Sequence, residues 1–172
     1  MLENRWVTTA LYVHPDIAFT IDTYKRKLQQ YFSYDYNTGV HTAREICEKI
    51  FETNERIEKL SILSNAIRSS TSFLNDKQKE IIDLCYFKRM KREEIINKLQ
   101  ITDKEFKNIR LSAIKKLAVY LNMLGFSNER FLDYFNDEPI VVLWYEQVLE
   151  MRKKAKHLIS RYRVCDRQRK DA

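Results

Sequence analysis

The sequence predicts an all-α protein, and three observations carry that prediction. Two Gly and two Pro in 172 residues leave little of the turn chemistry that many short strands need. Apolar residues make up 44% of the chain, enough for a genuine core. They recur in steps of three and four, the spacing that keeps side chains on one face of a helix. Three parts follow: an N-terminal helical hairpin over residues 1–73, a central helix-turn-helix over 74–122, and C-terminal helices with a basic tail over 123–172.

In the first part, the pattern predicts a helix from about Ile17 to Phe32. The turn-like Asp35-Tyr36-Asn37-Thr38-Gly39 ends it. A longer helix is expected from about His41 to Ile67, with Ile46, Ile50, Ile57, Leu60 and Ile67 forming a heptad seam and Thr53 and Ser64 at its two polar positions. Such a stripe must be covered by another helix, in this chain or in a partner. The polar cluster Arg68-Ser69-Ser70-Thr71-Ser72 marks the boundary to the central part.

The central part opens with a helix that Asn75 starts and Gln78 supports three residues on, its inward side carrying Ile81, Leu84 or Cys85, and Phe87. After a short basic connector comes a short second helix with Ile95, Ile96 and Leu99 facing inward. The third helix is the most sharply specified, because Thr102 and Glu105 form a capping box that places Asp103 in its first turn. From there Phe106, Ile109 or Arg110, Ala113, Leu117 and Leu121 make the inward stripe. Lys104, Lys107, Asn108, Leu111, Lys115 and Lys116 are left facing outward. A helix that presents Lys and Asn in its first turns suits the major groove, where Asn can pair two-pronged with adenine.

In the last part, Phe126, Phe131, Leu132, Tyr134 and Phe135 suggest a short aromatic-rich helix that belongs to the core. Asn136-Asp137-Glu138-Pro139 is a boundary, and Pro139 opens an amphipathic helix of about 20 to 25 residues carrying Val141, Trp144, Tyr145, Val148 and Leu149, then Ala155, Leu158, Ile159 and Tyr162.

The charge of +7 is unevenly spread. Residues 1–73 carry nine Lys/Arg against nine Asp/Glu, 74–122 twelve against seven, 123–150 one against six, and 151–172 nine against two. Positive charge therefore falls on the helix-turn-helix and on the tail, where phosphate contacts are expected.

Other chemistries find little footing. No stretch of about 18 apolar residues occurs, and Met1 to Ala10 lacks a basic start followed by an apolar run, so no membrane partner is expected and the chain reads as cytoplasmic. Cys47, Cys85 and Cys165 form no CxxC pair, and His14, His41 and His157 lie in no HExxH or Cys/His cluster, so no metal is expected. With glycine only at Gly39 and Gly125, no phosphate-binding loop exists. The sequence therefore implies no enzyme and no cofactor.

The run from Ile101 to Leu117 resembles, without gaps, the final helix of sigma factor region 4, where Ile/Val-Ser/Thr opens the helix and Ala-x-x-Lys-Leu closes it. Leu74 to Tyr86 is similar to that family's Leu-x-x-x-Gln-x-x-Ile/Val-Ile/Leu-x-Leu-x-Tyr, and Glu93-Glu94-Ile95 to its Glu-Glu-Ile. The resemblance covers about 48 residues. It implies a fold of three helices or slightly more, binding of double-stranded promoter DNA, contact with RNA polymerase, and a place at the nucleoid. Base-reading positions then fall on Asp103, Lys104 and Asn108, with Lys107 beside them and Lys115 and Lys116 nearer the backbone; Leu111, Lys91 and Arg92 complete the expected contacts. The chain departs from the pattern at the turns: Arg89 stands for the connector Gly, Lys91 for a Ser/Thr cap, Ile96 for a small residue, and Gln100 for the inter-helix Gly. Losing those glycines removes easy access to positive φ, so a strained or altered turn is expected.

Residues 1–73 show no match to the region with which a sigma factor melts its promoter, and Trp6 and Tyr12 do not supply one. The arrangement is closer to short phage and low-GC bacterial regulators with a helical hairpin before a sigma-like unit. Two other readings compete with this one. One is an interaction module associated with RNA polymerase, whose helix-turn-helix does not read DNA and whose seam at 46–67 takes a partner helix or a second copy; the other is RNA binding by the Arg-rich tail.

Overall fold

The computed structural model describes residues 2–33 and 42–170, with side chains as far as Lys154. Among the described residues every regular element is helical. The helices are α1 (Asn4–Phe32), α2 (Ala43–Ser72), α3 (Asp76–Ile82) with a π-helical continuation Asp83–Phe87, α4 (Arg92–Leu99), α5 (Asp103–Met123), α6 (Asn128–Phe135) and α7 (Pro139–Lys170). The turn expected at 35–39 and the helix start expected at His41 lie outside the described residues, as do the side chains of Ala155, Leu158, Ile159 and Tyr162.

Three elements differ in extent from the sequence reading. Helix α1 begins at Asn4 rather than Ile17 and runs through Pro15. An interior proline costs a helix about 3 kcal/mol, and β-branched residues such as Val7, Thr8 and Thr9 weaken the local signal. Burial outweighs both, because Trp6, Val7, Leu11, Val13 and Ile17 are each at most 3% exposed and contribute roughly 1.5–3 kcal/mol apiece. Helix α2 runs on to Ser72, past the polar cluster. The hydroxyls of Thr71 and Ser72 bond back to the carbonyls of Arg68 (2.9 Å) and Ser69 (2.7 Å), so these residues satisfy themselves inside the helix. Helix α7 is also longer than expected, 32 residues.

The main core draws on all three parts of the chain. Trp6, Leu11 and Ile17 of α1 meet Leu60, Leu63 and Ile67 of α2, Leu117 and Leu121 of α5, Phe131 and Phe135 of α6, and Val141 of α7. Helix α1 is the element on which the rest assembles, packing most extensively on α2 and next on α7. Ile57, Leu60 and Ile67 of the α2 seam are thereby covered inside the chain. Tyr24 meets Glu138, Asp16 meets Trp144 and Trp6 stacks on Tyr145 at 4.0 Å, so α1 and α7 run in opposite directions. Trp6 and Tyr12 are packing residues here, Tyr12 stacking on Trp144 at 5.1 Å.

A second, smaller core lies within residues 81–109. Ile81, Leu84, Ile95 and Phe106 are buried together, with Met90, Ile96, Leu99, Ile101 and Ile109 against them. Its apolar residues come from α3, its π-helical continuation, α4 and α5, so the relative placement of α4 and α5 is fixed by packing of its own.

Candidate nucleic-acid interface

The interface is built by three caps and two unusual residues. The Asn75 side chain accepts from Gln78 N (2.9 Å), and Gln78 Oε1 in turn accepts from Asn75 N (3.4 Å), starting α3. At the other end the helix widens, Lys88 N donating to Asp83 O at 2.8 Å across five residues. Arg89 then takes φ +51°, and the chain turns into α4. Lys91 offers no side-chain cap; Glu94 supplies half of one by accepting from Lys91 N at 3.2 Å.

Helix α4 stops at Gln100, whose φ of 51° and ψ of 42° are left-handed. Its N–H and that of Ile101 both turn back to the Ile96 carbonyl, which closes the last turn. Thr102 then caps α5: its hydroxyl accepts from Glu105 N (3.2 Å), and Glu105 Oε2 accepts from Thr102 N (2.8 Å). Glu105 Oε2 also accepts from the Thr102 hydroxyl (2.8 Å), and the two donors of Thr102, backbone N–H and hydroxyl, hold the Glu105 carboxyl below its ordinary range. The positive-φ non-Gly residues among those described are Arg89 and Gln100, the two positions at which the resemblance implies glycine. The turn therefore keeps a conformation suited to Gly, at a local cost of roughly 1–2 kcal/mol per residue.

The outward face is largely as the pattern places it. Lys104, Lys107, Asn108, Leu111, Lys115 and Lys116 are all exposed, and so are Lys91 and Arg92 at the start of α4. Asp103 is engaged twice, by Arg92 from α4 and by Lys107 Nζ at 2.8 Å, which ties the first turns of α4 and α5 together. Lys116 Nζ reaches Gln78 Oε1 (3.2 Å), and Gln78 Nε2 donates to Ser112 Oγ (3.1 Å), so the far flank of α5 is tied to α3. Lys104, Asn108, Leu111 and Lys115 form the open part of the face.

Of the Ile109/Arg110 pair, both are half-buried: Ile109 joins the small core, while Arg110 enters the space between α5, α1 and the π-helical turn. The middle of α5 is bordered by α7, whose Met151 and Arg152 line one concavity with Leu111 and Ile114. Sequence spacing gave no sign of this neighbour, because the contact spans some forty residues. The Arg89–Asp16 contact was equally hidden.

No family model matches the chain, and neither a curated protein nor a solved structure is similar to it.

Proposed function

We propose that α5 enters the major groove of double-stranded DNA and that the chain is a sigma-like transcription regulator, docking also on RNA polymerase. The observation that carries the reading is the α4–Gln100–α5 unit. A three-residue turn joins a short helix to a capped 21-residue helix whose first turns expose Lys104, Lys107 and Asn108. A groove that admits one helix, with base edges at its floor and phosphates at its rims, is complementary to that face. Lys104 and Asn108 are the base-reading residues in this proposal. Lys91, Arg92, Lys107 and Lys115 attend to the backbone, and Asp103 acts mainly as the tether between Arg92 and Lys107. The basic end of α7, beginning beside Leu111 with Arg152, Lys153 and Lys154, adds sequence-independent affinity.

Replacing Lys104 and Asn108 together by Ala tests the reading. Each good base contact carries about 1–3 kcal/mol of discrimination, so preference for a selected duplex over random duplex should fall at least tenfold while weak general binding survives. Retained preference would sink the assignment. Deleting 152–172 should weaken binding at every sequence without removing it; complete loss would reduce the interaction to the tail alone. The interaction-module alternative is weakened by the packing of Ile57, Leu60 and Ile67 of the α2 seam into the main core, where they are taken up within the chain.

A further inference from the structure

Arg110 stands apart from the other cations of the central part. It is half-buried, its Nε is out of contact with solvent, and it has no hydrogen-bond or ion-pair partner among the described residues. Its guanidinium carbon lies 5.8 Å from the centroid of the Phe106 ring. A guanidinium carries five donors and no acceptor, and leaving them unmatched away from water is costly. Arg110 borders a cavity of about 220 Å³ whose wall also holds Arg92, Lys107, Tyr12 and Cys85. Asp103 offsets one of the three positive charges, through its pairs with Arg92 and Lys107, and no carboxylate lines the cavity itself. The Cys85 thiol, pushed up to about 11 by burial, stays protonated and brings no negative charge. The lining thus offers cationic and hydroxyl donors with no matching anion, in a volume below that of ordinary small-molecule pockets. Low-dielectric walls concentrate the field of such a cluster on whatever enters.

We propose that this cavity binds a phosphoryl group, with Arg110 as its principal ligand and Lys107, Arg92 and Tyr12 as flanking donors. Guanidinium and phosphate match in geometry as well as charge, which favours a tetrahedral oxyanion over a halide. The group can arrive on a small phosphate-bearing ligand or as one phosphate of a bound duplex, and the two sources are separable. The inference stands on the cavity and not on base reading by α5, so a chain that fails to bind DNA still tests it.

The experiment uses the full chain and inorganic phosphate. For a millimolar site, 10 mM phosphate should raise the melting temperature by about 3 °C or more over sodium chloride of equal ionic strength. Arg110→Gln should abolish the shift and Arg110→Lys retain part of it. In the wild-type protein, phosphate should slow alkylation of Cys85 and leave that of the exposed Cys47 unchanged, which requires no variant to fold. With duplex DNA, Arg110→Gln should lower the log-log salt slope by about 0.9 if the backbone supplies the group, and leave it unchanged if a small ligand does. A phosphate shift that survives in Arg110→Gln would overturn the assignment. So would a wild-type protein with no phosphate-specific shift and no Cys85 protection, together with a salt slope indifferent to Arg110.

Discussion

Arg89 and Trp144 are held together by one carboxylate oxygen. Asp16 Oδ2 accepts from Arg89 Nη2 at 2.5 Å and from Trp144 Nε1 at 3.1 Å, and the guanidinium carbon lies 4.7 Å from the indole centroid. Arg89 also donates to the Tyr12 carbonyl at 3.1 Å. Arg89, in the connector between the π-helical turn and α4, is thereby fastened to α1 and α7.

Two opposing effects meet at Arg89, and a double-mutant cycle separates them. Asp16→Ala should destabilise the protein by about 1–2 kcal/mol, the value of charge-assisted hydrogen bonds discounted for the partial exposure of the pair. Arg89→Gly alone should be nearly neutral, because relief of the positive φ offsets the lost clasp. In the Asp16→Ala background the same change should stabilise by about 1 kcal/mol. Urea denaturation of the four proteins measures each corner. Equal effects of Arg89→Gly in both backgrounds would show that Asp16 and Arg89 are not coupled.

Gln100 provides the cleaner case, since it has the same φ of 51° and is exposed with no recorded side-chain contact. Gln100→Gly should therefore stabilise by about 0.5–1 kcal/mol, the usual gain from glycine at a left-handed helix end less its entropy cost in the unfolded chain. Gln100→Val should lose more than that, because a β-branched residue is strained at positive φ. Thermal melts of the three proteins decide the order; a destabilised glycine variant would mean that Gln100 holds the turn through contacts of its own.

What the sequence made legible was local. The Asn75 and Thr102 caps, the outward set from Lys104 to Lys116 and the buried Phe131 and Phe135 each depend on neighbours within about one or two turns, which spacing encodes. Leu132 and Tyr134, grouped with those rings by composition, are exposed instead, because a short helix can turn only one face inward. The start of α1 was illegible because proline and β-branched residues signal against helix, while the packing that overrides them comes from α2 and α7. Polar ties were illegible for the same reason. Nothing near Asp16 in sequence points to Arg89 or Trp144, and nothing near Gln78 points to Ser112 and Lys116. The resemblance marks Arg89 and Gln100 as positions that favour glycine, and both residues take positive φ despite carrying a Cβ.

The same long-range placement buries Glu138, the residue before α7, completely. Its Oε1 accepts from the Tyr24 hydroxyl at 2.9 Å, and its Oε2 is buried without a partner. Next to it, Asp137 holds the buried Lys59 of α2 through contacts of 3.1 and 3.2 Å. Burial raises the Glu138 carboxyl above its ordinary value, and this outweighs the lowering by the Tyr24 bond and by Arg56. A carboxyl that is raised in the folded state binds its proton more tightly there than in the unfolded chain. Its contribution to stability is therefore fully present below the unfolded value near 4.5 and is lost as pH climbs through the folded one. Glu138→Gln keeps an acceptor for Tyr24 and removes the titration. The stability of the variant relative to wild type should accordingly rise with pH above about 4.5 and then level off, as read from urea denaturation at a series of pH values between 4 and 8. A difference that stays flat across that range would show that Glu138 is ionised at no cost, with Arg56 compensating for burial.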